Sequence, residues 1–193
     1  MTTKILTDRF GSVISGNSHD DMLGRLETGI SGSNSWLVQN IRDSLVPCGF
    51  LRNNSNDFAI IRIQSPHTRK QGVPLDSIHI HYVVDAQVTA GQTLLFTTYW
   101  TWLYPNQAVP ALADWQQVNT TWTVSQTIPI WTYGLYALVT SPAAPTTEGY
   151  GLTLLCRIVR GNGTATANLG IIDCDAHVSI DRNGSFYEFS DTP

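Results

Sequence analysis

One stretch of the chain decides the class of the fold, namely Ile78-His-Ile-His-Tyr-Val-Val-Asp85. Apolar and polar residues alternate along it, and successive side chains of a β-strand point to opposite faces of the sheet. The side chains of His79, His81 and Asp85 are therefore expected to face away from the core. The residues expected to face the core are Ile78, Ile80, Tyr82 and Val84. The stretch predicts a β-strand with one buried face.

Similar signals recur on both sides of this strand. Each segment shows alternation or an enrichment in β-branched and aromatic residues, and Gly, Pro or Asn residues stand between the segments. Eight short strands without a convincing helix favour an all-β, two-sheet antiparallel sandwich, with a jelly roll ahead of an immunoglobulin-like sandwich. The predicted strands are 58–64, 78–86, 92–103, 118–126, 131–139, 151–160, 168–181 and 185–189.

The first 57 residues differ from the rest, because they are rich in Gly, Ser and Asn and show no such alternation. A short helix is expected to begin at Asn34 or Ser35 and to end before Pro47. Its apolar face would carry Leu37, Ile41 and Leu45. We therefore predict an extended N-terminal arm with a short helix over residues 1–57 and a β-sandwich domain over residues 58–193.

Composition excludes several classes of protein. The chain has 193 residues, which suits one domain, or one domain with an arm, at about 150 residues per domain. Its net charge of -4 argues against a basic nucleic-acid-binding surface. No apolar run approaches the roughly 20 residues of a membrane span, and no apolar signal core follows Met1. Charged residues make up 13%, about half the usual share. A low charged fraction is common on proteins whose surface is packed against other proteins, as in shells and fibres.

The cysteines give no metal or redox motif. Cys48, Cys156 and Cys174 form no CxxC pair and lack zinc spacing. We expect buried free thiols in a reducing compartment, and a bridge between Cys156 and Cys174 stays open as the alternative. No Gly-x-Ser-x-Gly elbow occurs either, so no catalytic residue is predicted and the protein is not expected to be an enzyme.

Histidines are expected to gather on one outer face. In the strand over residues 168–181, His177 shares a face with Asp173 and Asp175, just as His79 and His81 share one in the central strand. The pattern resembles a cupin metal site, but cupin ligands point into the barrel and the usual Glu is missing. We predict that the three histidines lie at a subunit interface, and we expect no metal or cofactor. A metal ion or anion shared between subunits remains open.

The tryptophans suggest two roles. Trp100 and Trp102 alternate with polar residues and predict a core stripe. Trp115, Trp122 and Trp131 lie near loop borders, where an exposed Trp can anchor a protein contact or stack on a sugar. Trp115, in the long loop after residue 103, is the candidate for a contact to a partner.

Three ordered blocks of sequence resemble those of small virion structural proteins of tailed bacteriophages. In that family a "pH…k.G" segment precedes a strand reading "HiHw", and an aromatic "Y.W" strand and a "D.h...D..GS...y" strand follow. Tyr82 stands where the family usually has Trp. The resemblance covers residues 58–190, about two-thirds of the chain. The matching blocks are Ser65-Pro-His-Thr-Arg-Lys-Gln-Gly72 with Ile78-His-Ile-His-Tyr82, Tyr99-Trp-Thr-Trp102, and Asp173-Cys-Asp-Ala-His177 with Asp181-Arg-Asn-Gly-Ser185 and Phe186-Tyr-Glu188.

This resemblance implies a β-sandwich component of the virion, often trimeric and without catalysis. We expect an auxiliary capsid (cement or decoration) protein, a homotrimer that binds the major capsid protein or other virion proteins, and neither nucleic acid nor a membrane. It would reside in the virion, after assembly in the cytoplasm of the host bacterium. A neck, tail or head-fibre-base protein is the first alternative, a carbohydrate-binding module the second and a cupin-type metalloenzyme the third.

The arm is expected to hold the protein on the capsid. Ordering an arm costs roughly 1–2 kcal/mol per residue, so the arm has to bury apolar side chains against its partner. The predicted anchors are Phe10, Ile14, Leu23 and Trp36.

Overall fold

The computed structural model describes the backbone over residues 18–27, 37–42, 47–53, 57–65, 72–145 and 152–180. Side chains are described over residues 40–42, 48–53, 57–65, 72–145 and 152–177. The strand predicted at 185–189 lies outside these ranges. None of the helices in this part of the chain has the length and hydropathy needed to cross a membrane.

Within the described ranges the chain forms ten strands and one short 3₁₀ turn at Leu112–Asp114. Seven of the predicted strands are confirmed, with ends that shift by a few residues. The strands are β1 (Ser18–Glu27), β2 (Leu37–Asn40), β3 (Pro47–Leu51), β4 (Phe58–Gln64), β5 (Ser77–Val84), β6 (Thr93–Leu103), β7 (Gln116–Thr123), β8 (Tyr133–Thr140), β9 (Thr153–Gly161) and β10 (Leu169–Ile180).

Eight of these strands form two four-stranded antiparallel sheets packed as a sandwich. The histidine sheet, so named for the residues discussed below, has the order β8-β5-β10-β1, and the opposite sheet has the order β4-β9-β6-β7. Strands that are neighbours in sequence mostly lie in different sheets, which is the connectivity of a jelly roll. The all-β sandwich expected from the sequence is therefore confirmed.

Strand β1 joins the two sheets at one corner. Its residues 18–24 pair with β10, and its residues 24–27 pair with β4, so hydrogen bonding continues from one sheet into the other. This strand is the first of the eight sandwich strands along the chain, although it lies in the segment expected to be an arm. The boundary after residue 57 stays a prediction about independent folding.

A β-hairpin corrects the helix expected after Asn34. Residues 37–40 pair with residues 47–50, and β3 continues onto β10, where Leu51 lies opposite Leu169. The spacing of Leu37 and Ile41 also fits a short strand followed by a turn, and pairing with other strands decides between a helix and a strand, whereas Leu45 lies outside the described residues. Phe50 and Leu51 are fully buried.

The core between the sheets is built as the alternation predicts. Its members from the histidine sheet include Ile78, Ile80, Tyr82 and Val84, all buried. Strand β6 contributes the expected aromatic stripe, with Leu94, Phe96, Trp100 and Trp102 buried on one face. Cys156 and Cys174 belong to the same core as free thiols. Burial raises the pKa of Cys156 to about 12 and the pKa of Cys174 well above its usual range.

A second, smaller apolar cluster lies on the outer face of the histidine sheet. It consists of Cys48, Phe50 and Val83, with Ile41 and Trp131 packed against it. The rings of Phe50 and Trp131 meet edge to face, with centroids 6.2 Å apart. The β2–β3 hairpin thus covers one end of this face and leaves the other end to polar side chains.

Candidate functional site

The three candidate histidines of the described chain share the uncovered end of that outer face. Strands β5 and β10 run antiparallel, with His79 opposite Asp175, His81 opposite Asp173 and Ser77 opposite His177. Because their neighbours along each strand point into the core, these side chains point away from it. The prediction that the side chains of these histidines face away from the core is confirmed for all three, although His79 itself is buried.

Asp175 lies at the centre of the group. Its Oδ1 is 3.5 Å from Nδ1 of His79. Its Oδ2 is 3.5 Å from Nε2 of His81 and 3.5 Å from Nε2 of His177. We call His79, His81, Asp175 and His177 the His₃Asp cluster.

One ring contact and one hydrogen bond orient the imidazole rings of this cluster. The rings of His79 and His177 meet edge to face with centroids 4.2 Å apart. His81 Nδ1 forms a short hydrogen bond with the hydroxyl of Tyr133 on β8. This bond turns Nε2 of His81 towards Asp175.

The cluster is only partly open to solvent. Asp175 is 3% exposed, whereas the side chains of His81 and His177 are 23% and 33% exposed. A carboxylate in such a place needs strong partners, because burial without them is costly. Its separations from the three imidazoles exceed the 2.7–3.2 Å of ordinary hydrogen bonds.

Exposed apolar side chains border the cluster. Leu135 lies opposite His81 on β8, and Tyr133 lies opposite Val83, so both belong to the outer face. Ile172 occupies the bulge of β10 beside Asp173. All three are exposed, and we call them the apolar border. The predicted subunit contact of the histidines stays a prediction, and this border would be part of it.

The loop before β7 exposes other side chains than that of Trp115, which the sequence indicated as the candidate contact. Trp115 is half-buried, and its Nε1 donates a hydrogen bond to the carbonyl of Pro110 at 3.1 Å. Val109 and Leu112 are the large apolar side chains that this loop exposes. Sequence reasoning missed them because neither belongs to a pattern. The role of Trp115 as a partner contact stays a prediction.

The other tryptophans proposed for sugar stacking have packing partners within the chain. Trp122 stacks on Tyr136 with ring centroids 4.2 Å apart, and Trp131 meets Phe50 as described. Beside Tyr136, an open groove of about 500 Å³ lies between the edge strands β7 and β8. Its lining includes Gln116, Gln117, Thr120, Tyr136 and Thr140.

The predicted arm anchors fall mostly beyond the described residues. Phe10, Ile14 and Trp36 lie outside them. Leu23 lies in β1, where its backbone is opposite Asp175, and its side chain is not described. Their contacts to a capsid stay a prediction.

No protein-family model and no curated protein matches this chain. The case for a function therefore depends on the fold and the surface of the described residues. That surface offers a histidine–carboxylate cluster, an apolar border beside it and an exposed apolar loop.

Proposed function

We propose that this protein is a structural component of a tailed-bacteriophage virion, an auxiliary capsid protein that binds the head shell as a homotrimer. The observation that carries the proposal is a jelly roll whose outer surface is poor in charge and displays apolar side chains. The protein acts by binding, and its partners are the major capsid protein and its own copies.

The fold supports this class of protein. Jelly rolls are found in viral capsid domains, and also in lectins and cupins, so the surface has to decide between them. A cupin-type enzyme is disfavoured because the histidines lie outside the sandwich rather than inside it. Within the described residues, the blocks of sequence that resemble phage virion proteins have their parts at 78–82, 99–102 and 173–177 in β5, β6 and β10, of which β5 and β10 are neighbours in one sheet and β6 belongs to the other.

The surface supports a binding role as well. Interface cores are depleted in charged residues and enriched in aromatic side chains. Leu135 and Tyr133 on the histidine sheet, and Val109 and Leu112 in the loop, are exposed apolar groups of this kind. Their burial against another protein would remove apolar surface from water, which favours association.

Copy number in the particle tests the proposal. Quantitative mass spectrometry of purified virions whose genome encodes this chain should find it in hundreds of copies per particle. A count of tens or fewer would move it to the neck, the tail or a fibre base. Its absence from purified virions would overturn the proposal.

The oligomeric state is tested separately on the purified protein. Light scattering coupled to size-exclusion chromatography should give three times the chain mass of 21.3 kDa. Leu135→Asp and Val109→Asp place the same new charge at side chains that are 51% and 64% exposed. Only a substitution that lies within the trimer contact should make the trimer dissociate. A wild-type protein that is monomeric at all concentrations would refute self-association.

A carbohydrate-binding role is the second candidate, and the groove between β7 and β8 favours it. Its amide and hydroxyl groups beside Tyr136 suit sugar hydroxyls and an aromatic stacking partner. A glycan array probed with the wild-type protein and with Gln117→Ala tests it. Binding that the substitution abolishes would support the second candidate.

A further inference from the structure

We propose that the His₃Asp cluster binds a divalent transition-metal ion of the zinc class, on the outer face of the histidine sheet. The sequence alone led us to expect no metal. The proposal does not depend on a role in the virion, and it stands on the geometry, burial and chemistry of four side chains.

The distances within the cluster match those between ligands of one ion. Zinc lies about 2.0–2.2 Å from nitrogen and oxygen ligands, so the edges of its tetrahedron measure about 3.3–3.6 Å. Oδ1 of Asp175 lies 3.5 Å from Nδ1 of His79, and Oδ2 of Asp175 lies 3.5 Å from Nε2 of His81 and from Nε2 of His177, so the two carboxylate oxygens share these contacts. The ligand atoms of His79, Asp175 and His177 all lie within 4.8 Å of one another.

Two buried atoms of the cluster lack the partners that burial requires. Oδ1 of Asp175 and Nε2 of His81 are buried, and neither makes a hydrogen bond to any described residue. Buried polar atoms are almost always satisfied, and an unsatisfied one is costly. A cation among the four side chains would accept electron pairs from both atoms at once.

The donor set selects the kind of ion. Three imidazole nitrogens and one carboxylate group suit Zn²⁺ and its late first-row neighbours, whereas Ca²⁺ and Mg²⁺ prefer oxygen ligands throughout. His79, Asp175 and His177 have their ligand atoms within 4.8 Å of one another, and His81 would complete a set of four, which is typical of a closed structural site rather than an open catalytic one. The ion would fasten β5 to β10, because each strand supplies two of the ligands.

Tyr133 would act as a positioning residue. Metal-bound histidines usually place their second ring nitrogen in a hydrogen bond, which fixes the tautomer and the ring orientation. The bond between His81 Nδ1 and the Tyr133 hydroxyl has this arrangement and directs Nε2 towards the cluster.

Metal titration of the chelator-treated full chain tests the proposal. Calorimetry with Zn²⁺ should give one ion per chain, and Co²⁺ should give the visible absorption of a tetrahedral site. Asp175→Asn and His177→Gln should each weaken binding more than about tenfold, and Tyr133→Phe by about tenfold, the cost typical of an outer-shell partner. Mg²⁺ should not compete. Asp114→Asn removes an exposed carboxylate from the 3₁₀ turn and serves as the control that keeps wild-type affinity.

Zinc should also raise the melting temperature of the wild-type protein and of the control, but not that of His177→Gln. His177 is a third exposed, so this variant is expected to fold, and circular dichroism checks it. If Zn²⁺, Co²⁺ and Ni²⁺ all fail to bind the wild-type protein, the proposal is overturned. Binding that keeps its affinity in His177→Gln and Asp175→Asn overturns it as well.

Discussion

The substitution Phe50→Ala tests whether the β2–β3 hairpin is part of the folded body. Phe50 is fully buried, although it belongs to the segment that the sequence assigned to an arm. Its ring lies over Gly170, where an added Cβ would approach it at 2.8 Å. Because Gly170 has no side chain that could move into the space, the cavity left by the substitution cannot collapse from that side.

These contacts of Phe50 determine how much the substitution should lower the free energy of unfolding. Replacing a buried Phe by Ala costs about 3–5 kcal/mol, and a poorly collapsing cavity belongs in the upper half of that range. The lost edge-to-face contact with Trp131 is part of this cost and also places it in the upper half of the range. We expect the free energy of unfolding to fall by about 4–5 kcal/mol. For a chain of this length, that lowers the melting temperature by roughly 8–20 °C.

Urea unfolding followed by tryptophan fluorescence and circular dichroism measures this change. Phe96→Ala, in the core between the sheets, should cost a similar amount, and Val109→Ala, in an exposed loop, should cost almost nothing. A loss below about 1 kcal/mol for Phe50→Ala would mean that the body does not need the hairpin. The reasoning from Gly170 and Trp131 would then be refuted.

Three further predictions follow from other contacts of the same fold. Gly134→Ala should lower the free energy of unfolding by about 1–3 kcal/mol, because the new Cβ would lie 2.8 Å from Cε1 of Tyr82. Gly161→Ala is the control, since its Cβ would meet only ordinary contacts and the substitution should be close to neutral. Thermal unfolding measures both. The three buried thiols should resist Ellman's reagent until the protein unfolds. Burial raises the pKa from 9.0 to about 11 for Cys48 and to about 12 for Cys156, and raises that of Cys174 well above 9.0. The free energy of unfolding should therefore fall as the pH rises above 9, and flat stability from pH 8 to 11 would contradict this. Deletion of residues 1–45 removes β1 and β2 and leaves edges of β10 and β4 unpaired. In contrast to the boundary predicted from the sequence, we expect an aggregating, poorly folded product, and a soluble cooperative β-protein would instead support the boundary after residue 57.

Local alternation was enough to predict most of the sandwich. In β5 the apolar residues at even positions and the histidines at odd positions gave the strand, its buried face and its outer face. The same reasoning placed His177 and Asp175 on one face of β10. These predictions succeeded because the side-chain period of a strand is a local property.

Pairing between strands that are distant in sequence could not be predicted from local alternation. Strand β1 contains Gly24 and begins with Ser18 and two aspartates, which resembles the start of a helix, and only its partners β10 and β4 make it a strand. Likewise, the sequence could not show that Asp175 would lie opposite His79, because a bulge between Ile171 and Asp173 sets that register. The His₃Asp cluster exists through this register and not through any motif.

The place of β10 in the histidine sheet has a consequence for synthesis on the ribosome. This strand pairs with β5 along one edge and with β1 and β3 along the other, and it is made after all of them. After β5 is synthesised, about 85 further residues must be translated before its partner β10 begins, which takes several seconds at roughly 5–20 residues per second. During that time its edge is open to other nascent chains. We therefore expect soluble yield to depend on chaperones and on slow expression more than on the stability of the finished fold.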